Sequence, residues 1–222
     1  MGFSRFFRIT ISGALAAGLL AGAGGCFVLS TTDDIPVPAR YIGLQEKTVG
    51  VMVWADRVIR LDYPTLQLDV ASAVQRQMQI AQTKDKKKEL KDATFPVQPR
   101  SIVRFQIENP DIDSQPITEV APKLNVDRLI YIEVEEFYTR PDAQLTLFRG
   151  TARGTLRLVE IDQDNVAKVT YVENDVMAVY PEDAPVEGLP GSDDARIYQA
   201  TVNSFAKEIV RRFVTYVPSD EK

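Results

Sequence analysis

Apolar and polar positions repeat with different periods along the chain, and the changes of period mark its elements. Thr48 to Ala55 (TVGVMVWA) is a nearly continuous apolar run, as expected of a buried strand. After Tyr63-Pro64 comes TLQLDVASAVQRQMQIAQ, where Leu66, Val70, Ala73, Val74, Gln77 and Ile80 recur at helical spacing. Pro64 suits the first turn of that helix, with Asp62 as its cap. Ser101 to Ile107 (SIVRFQI) alternates and predicts a second strand. Pro116 to Leu124 predicts a short helix limited by Pro122, and Asn125-Val126-Asp127 a turn. Three strands follow: Arg128 to Tyr138, Leu145 to Ile161 and Ala167 to Tyr180. The polar turn Asp162 to Asn165 makes the last two a hairpin, and Gly150 and Gly154 mark a bulge or tight bend.

A final helix is predicted from Ala195 to about Val214, capped by Ser192, Asp193 or Asp194 and stopped by Pro218. Its apolar stripe is Ile197, Thr201, Val202, Phe205, Ile209 and Phe213. Lys207, Arg211 and Arg212 sit at its negative end. The order β-α-β-α-β-β-β-α predicts an α+β fold, an α/β sandwich whose mixed sheet of about five strands carries packed helices. Trp54, Phe105, Phe137, Phe148 and Phe205 are expected in the core.

The amino-terminal segment follows another pattern. Met1 to Thr10 is a short basic region with Arg5 and Arg8. Ile11 to Gly25 is apolar and shorter than the roughly 20 residues a spanning helix needs. Its glycines weaken a permanent helix, and small residues lead directly into Cys26. Ala23-Gly24-Gly25-Cys26 resembles a bacterial lipoprotein signal, with Ala23 where leucine is commoner. The resemblance implies cleavage between Gly25 and Cys26 and diacylglycerol on the Cys26 sulfur. A plain secretory signal and an uncleaved anchor are the other readings. The expected organisation is a signal peptide over 1–25, a lipidated cysteine and flexible tether over 26–46, one α/β domain over 47–217 and a tail over 218–222. A belt or edge strand at Pro38 to Leu44 is the alternative to a free tether there.

Composition then narrows the chemistry. The chain has 222 residues, 45% hydrophobic and 26% charged, which suits a packed soluble body. Without Arg5 and Arg8, the remaining 24 basic residues face 31 acidic ones, a net charge of −7. Such a body lacks the clustered cations of a nucleic-acid groove, so no nucleic-acid partner is expected. The chain has no histidine and one cysteine, which excludes histidine-based triads, internal disulfides and thiolate zinc clusters. No cofactor and no metal site is expected. Lys84 to Lys91 (KDKKKELK) reads as a solvated helix end or loop, with contact to anionic lipid heads or an acidic partner as its functional reading.

Glu133, Glu135 and Glu136 are the candidates for carboxylate chemistry. Strand alternation places Glu133 and Glu135 on one face and Glu136 on the other. Acid–base work or calcium binding would use the pair, but an exposed sheet face explains the pattern more simply. Asn109 to Ser114 and Asp162 to Asn165 resemble pieces of calcium loops, yet lack the turn glycine and the distal glutamate, and read as turns.

Lys123 to Tyr138 (KLNVDRLIYIEVEEFY), the strands after it and RIYQATVNSFAKEIVRRF resemble a group of envelope lipoproteins sharing one small α/β domain. The group includes the curli-secretion-channel lipoprotein, the outer-membrane activator of penicillin-binding proteins and the auxiliary lipoproteins of ABC-type lipid transport. The amino-terminal domain of the Tol-system translocation protein has a related shape. In these families a short helix ends near an A-D or V-D turn before a strand, and Val126-Asp127 matches.

The resemblance implies a non-enzymatic, lipid-anchored, periplasm-facing protein of the envelope, at the outer membrane ahead of the inner. Its partners would be the membrane, through lipid on Cys26, and an envelope protein or a second copy. An auxiliary subunit of a transport or assembly complex is the specific version. The alternatives are an exported carboxylate-dependent hydrolase, with Glu133 and Glu135 at its site, and a lipid-binding carrier.

Overall fold

The computed structural model describes residues 35–84, 88–141, 146–191 and 193–218. The expected signal, its cleavage site at Gly25-Cys26 and the lipid attachment at Cys26 lie outside the described residues.

Four strands form one mixed sheet in the order β1-β2-β3-β4: Val49–Ala55, Arg128–Tyr138, Gly150–Ile161 and Ala167–Tyr180. β1 runs parallel to β2, and the remaining neighbours are antiparallel. The parallel pair needs a long crossover. It is made by α1 (Arg57–Asp62), α2 (Leu66–Lys84), α3 (Pro99–Glu108) and α4 (Ile117–Val120), with short 3-10 turns at Pro110–Ser114 and Ala121–Leu124. α5 (Asp194–Val210) ends the fold.

Each face of the sheet has its own core. On one face Val51, Val53, Ile130, Ile132, Leu156 and Leu158 pack against Val70, Val74 and Met78 of α2 and Val202, Phe205 and Ile209 of α5. The predicted α5 stripe is buried throughout, Phe213 included. Asp193 caps the helix by accepting from Arg196 N at 2.8 Å. α5 ends at Val210, short of the expected Val214. Tighter bonds from Arg212 N to Ile209 O and Phe213 N to Val210 O turn Phe213 back into the core. On the opposite face Met52, Leu129, Tyr131 and Val159 meet Ile102 of α3, Ile112 and Val120.

The sheet has four strands where about five were expected, because Ser101–Ile107 is helical, inside α3. Seven residues with apolar side chains at 102, 103, 105 and 107 satisfy both periods. Pro99 sits in the first helical turn, which it favours, and Ile102 and Gln106 share the buried face. No further strand is needed at the outer edge of β1. Val53 O there accepts from Gln67 Nε2 of α2 at 2.8 Å and from Gln106 Nε2 of α3 at 3.0 Å. Asp62 closes α1 rather than capping α2, and Asp56 caps α1 through Val58 N and Ile59 N.

The folded body begins before Lys47. Val37 pairs with Tyr216, Arg40 N and Tyr41 N both donate to Arg212 O, and Leu44 is 1% exposed in the core. The belt alternative over Pro38–Leu44 therefore describes this segment better than a free tether.

Candidate functional site

The acidic row of β2 lies on the face opposite α2 and α5, beyond the part that α3 and α4 cover. Its geometry depends on a bulge. The register of β2 against β3 runs from Val134 opposite Gly154 to Glu136 opposite Arg153, so Glu135 is the extra residue. Gly154 makes this possible. A Cβ there would lie 2.2 Å from Glu133 O, a backbone atom that the bulge brings close.

The bulge corrects the expected placement of Glu136. Val134 and Phe137 both reach the helix-covered core, so Glu135 and Glu136 together face the other side with Glu133. Arg153 contacts both, with Nη1 3.3 Å from Glu135 and Nη2 paired to Glu136. Arg153 also reaches Asp175 at 3.0 Å, and Arg157 pairs with Glu133. Thr155 donates to Glu135 at 2.7 Å. Three carboxylates of β2 thus meet two guanidiniums and a hydroxyl of β3 across the strand gap. Among the described residues no group of three or more acidic or cysteine side chains is placed to hold a metal ion.

Where this row meets the covered part of the face, a groove of about 460 Å³ opens. Trp54, Tyr131 and Val169 form its apolar floor; Glu133, Arg157 and Gln115 supply polar edges. Burial first, and then the Glu133 charge, push the Tyr131 hydroxyl well above the usual tyrosine range. It is a neutral hydrogen-bonding group at any physiological pH.

A second cavity, of about 530 Å³, lies at the end of the sheet where β1 and β2 finish. Tyr63 and Tyr198 stack at 5.8 Å, with the Phe137 edge 4.8 Å and 5.4 Å from their rings. Arg140 forms a fork on Asp194, which also accepts from Thr139 at 2.7 Å. The Arg140 bonds, aided by Thr139, hold the Asp194 carboxyl below the usual range. Phe137 is in the core as its sequence pattern predicts, whereas Tyr63, Arg140 and Tyr198 are far apart in the chain and no local pattern connects them.

No family model matches the chain, and no curated protein does. Solved structures of similar chain path exist. The hypothetical protein CT253 from Chlamydia trachomatis is 16% identical with a TM-score of 0.45, over 74% of this chain and 94% of that one. The PelC dodecamer from Paraburkholderia phytofirmans is 11% identical with a TM-score of 0.42, over 81% of this chain and 96% of that one. The lipoprotein GNA1162 from Neisseria meningitidis is 14% identical with a TM-score of 0.37, over 72% of this chain and 96% of that one. Likeness at this level concerns the path of the chain and transfers no activity.

The remaining sequence candidates fall into structural roles. Asp162 Oδ1 accepts from Asp164 N and Val166 N at 2.9 Å, so this segment is a side-chain-stabilised turn. Asn109 to Ser114 is a helix end followed by a 3-10 turn. Residues 85–87 of the basic run lie outside the described residues. Its flanks close α2: Glu89 accepts from Thr215 N and Oγ1, and Gln82 Nε2 donates to Leu90 O at 2.8 Å and Ala93 O at 3.0 Å. Among the described residues no helix is long and apolar enough to cross a membrane.

Proposed function

We propose that this protein is a lipid-anchored, non-enzymatic interaction module of the bacterial envelope, and that the bulged face of its sheet is where it meets an envelope partner. The observation that carries the reading is the cross-strand lattice of Glu133, Glu135, Glu136, Arg153 and Arg157. It turns the carboxylate row of β2 into a patterned, half-exposed polar surface. Beside it, the groove over Trp54 and Tyr131 offers apolar contact area. A polar surface around an apolar aromatic recess is the anatomy of a protein-binding patch. Attachment through Cys26 supplies the address: two or three acyl chains hold a protein stably on a bilayer, where one is marginal. A subunit accompanying a transport or assembly complex at the periplasmic side fits this design, with the outer membrane as the preferred location.

The test has two arms. Metabolic palmitate labelling should mark the membrane-extracted protein and disappear in Cys26→Ser. Recovery of an unlabelled, freely soluble mature chain sinks the anchoring claim. In the second arm, Glu133→Gln with Glu135→Gln is assayed against a panel of glycoside and ester substrates. The wild type should match the variant, with no turnover above background. A hydrolytic activity lost in the variant would replace this reading with the hydrolase.

A further inference from the structure

The belt that precedes β1 packs on one end of the body. It crosses the end of the sheet where β1, β2 and β4 begin and β3 finishes. Val37 exchanges bonds with Tyr216 at 2.8 and 3.1 Å. The Tyr41 hydroxyl donates to Glu160 Oε1 at 2.7 Å, and its ring lies against Tyr171 and Phe213, each 6.1 Å away. Arg128 Nε donates to Gly43 O, and Glu46 N to Lys91 O at 2.9 Å. Burial, followed by the Glu160 bond, pushes the Tyr41 hydroxyl up to about 12, so it remains a donor across the physiological range.

The belt alternates like a strand. Val37, Ala39 and Tyr41 turn inward, while Pro36, Pro38, Arg40 and Ile42 turn out. Ile42 is 74% exposed. At the same end of the sheet Val166, on the β3–β4 turn, is 62% exposed. Lys88, Lys91 and Lys168 are exposed at this end, and the exposed Glu46, Asp92, Asp162 and Asp164 more than offset their charge. Exposed aliphatic side chains at an end that also carries lysines suit a headgroup layer: the aliphatic groups enter the acyl boundary and the ammonium groups meet phosphate. The nearby acids make apolar contact, not net charge, the main attraction.

Chain length sets the distance. Val37 stands eleven residues after Cys26. Such a length spans at most about 40 Å. A body of this size has a radius of gyration of about 16 Å, or some 40 Å across. A link that can reach no further than the width of the body favours the belt end towards the bilayer and the Tyr63–Tyr198 cavity away from it.

We infer that the belt end of this protein, centred on Ile42 and Val166, is a membrane-resting face that lies on the phospholipid headgroups of the bilayer holding the Cys26 anchor, and so fixes the orientation of the body. This rests on the lipid-anchor reading. Cys26 is the sole cysteine, so once acylated it leaves an engineered thiol unique. Full-length protein carrying Ile42→Cys, Val166→Cys or, at the opposite end, Glu182→Cys is purified from membranes and its acylation read by mass. Each thiol is labelled with an environment-sensitive fluorophore, and the protein is reconstituted into vesicles of zwitterionic phospholipid containing a headgroup-nitroxide lipid. Labels at 42 and 166 should lose fluorescence and the label at 182 should keep it. Position 166 guards against quenching that reflects mere proximity to the anchor in sequence. Acylated, vesicle-bound protein with positions 42 and 166 unquenched, or with 182 quenched equally, overturns the resting face and leaves the anchor reading intact. Protein whose mass shows an unmodified Cys26 and which does not bind vesicles overturns the anchor reading, and the face with it.

Discussion

Asp127 joins the starts of the two parallel strands, and its removal makes a quantitative test. Asp127 Oδ2 accepts from Thr48 N at 2.8 Å and from Thr48 Oγ1 at 2.8 Å. In return Asp127 N donates to Thr48 Oγ1 at 2.8 Å and to Thr48 O at 3.0 Å. The turn reaches this position through Asn125, whose φ of 53° lies in the left-handed region asparagine tolerates. Asp127→Ala deletes two charge-assisted bonds and strands the Thr48 donors at a half-buried site. Such bonds contribute about 1.5–3 kcal/mol each when buried; with the screening of partial exposure, a total of about 2 kcal/mol is expected. For a domain of this size that lowers Tm by roughly 4–8 °C. Chemical denaturation measures it, with Thr48→Val and the double variant completing a cycle whose coupling should reach about 1 kcal/mol.

The pH dependence has a defined sign. The Thr48 backbone N–H, and after it the Thr48 hydroxyl, hold the Asp127 carboxyl below its ordinary range. A depressed carboxyl adds stability that is fully present above its unfolded value of about 4 and is lost as pH falls through the folded value. The gap between wild type and Asp127→Ala should therefore be constant near neutrality and narrow in acid. Asp194, Glu160 and Glu173 are also depressed, so only the difference between the two proteins isolates Asp127. A cost under about 0.5 kcal/mol, or a gap that widens in acid, refutes the clasp.

Two further outcomes concern the bulge and the core. Gly154→Ala should destabilise by about 2 kcal/mol or more, since its Cβ meets backbone at 2.2 Å, and should disturb the Glu135–Arg153 contacts; unchanged amide chemical shifts around the bulge would contradict this. Phe205→Ala, at a fully buried position between α5 and the sheet, should cost about 3–5 kcal/mol of unfolding free energy by chemical denaturation, and a loss below about 1 kcal/mol would mean the core is not organised around it.

Local chemistry made much of the fold legible. β2 and β4 carry the bounds expected from their alternation, because long runs of β-branched and aromatic residues between turn signals admit one reading. The α5 stripe is legible because it recurs over four turns behind an N-cap at Asp193. Ser101–Ile107 was ambiguous because seven residues satisfy two periods, and the packing of Ile102 and Gln106 against β1 decided for a helix. The missing histidine, the lone cysteine and the small residues before Cys26 are properties of the chain itself, so they limit its chemistry and suggest its address without reference to any fold.

Other features needed distant groups to meet. The common face of Glu133, Glu135 and Glu136 depends on a bulge, which is set by how β3 pairs at Gly154 and cannot be read from β2 alone. The docking of residues 37–44 depends on Glu160, Arg212 and Phe213, more than a hundred residues away. Periodicity within a segment reports which side of it is apolar. Only tertiary contact decides what that side meets and where a register slips by one residue.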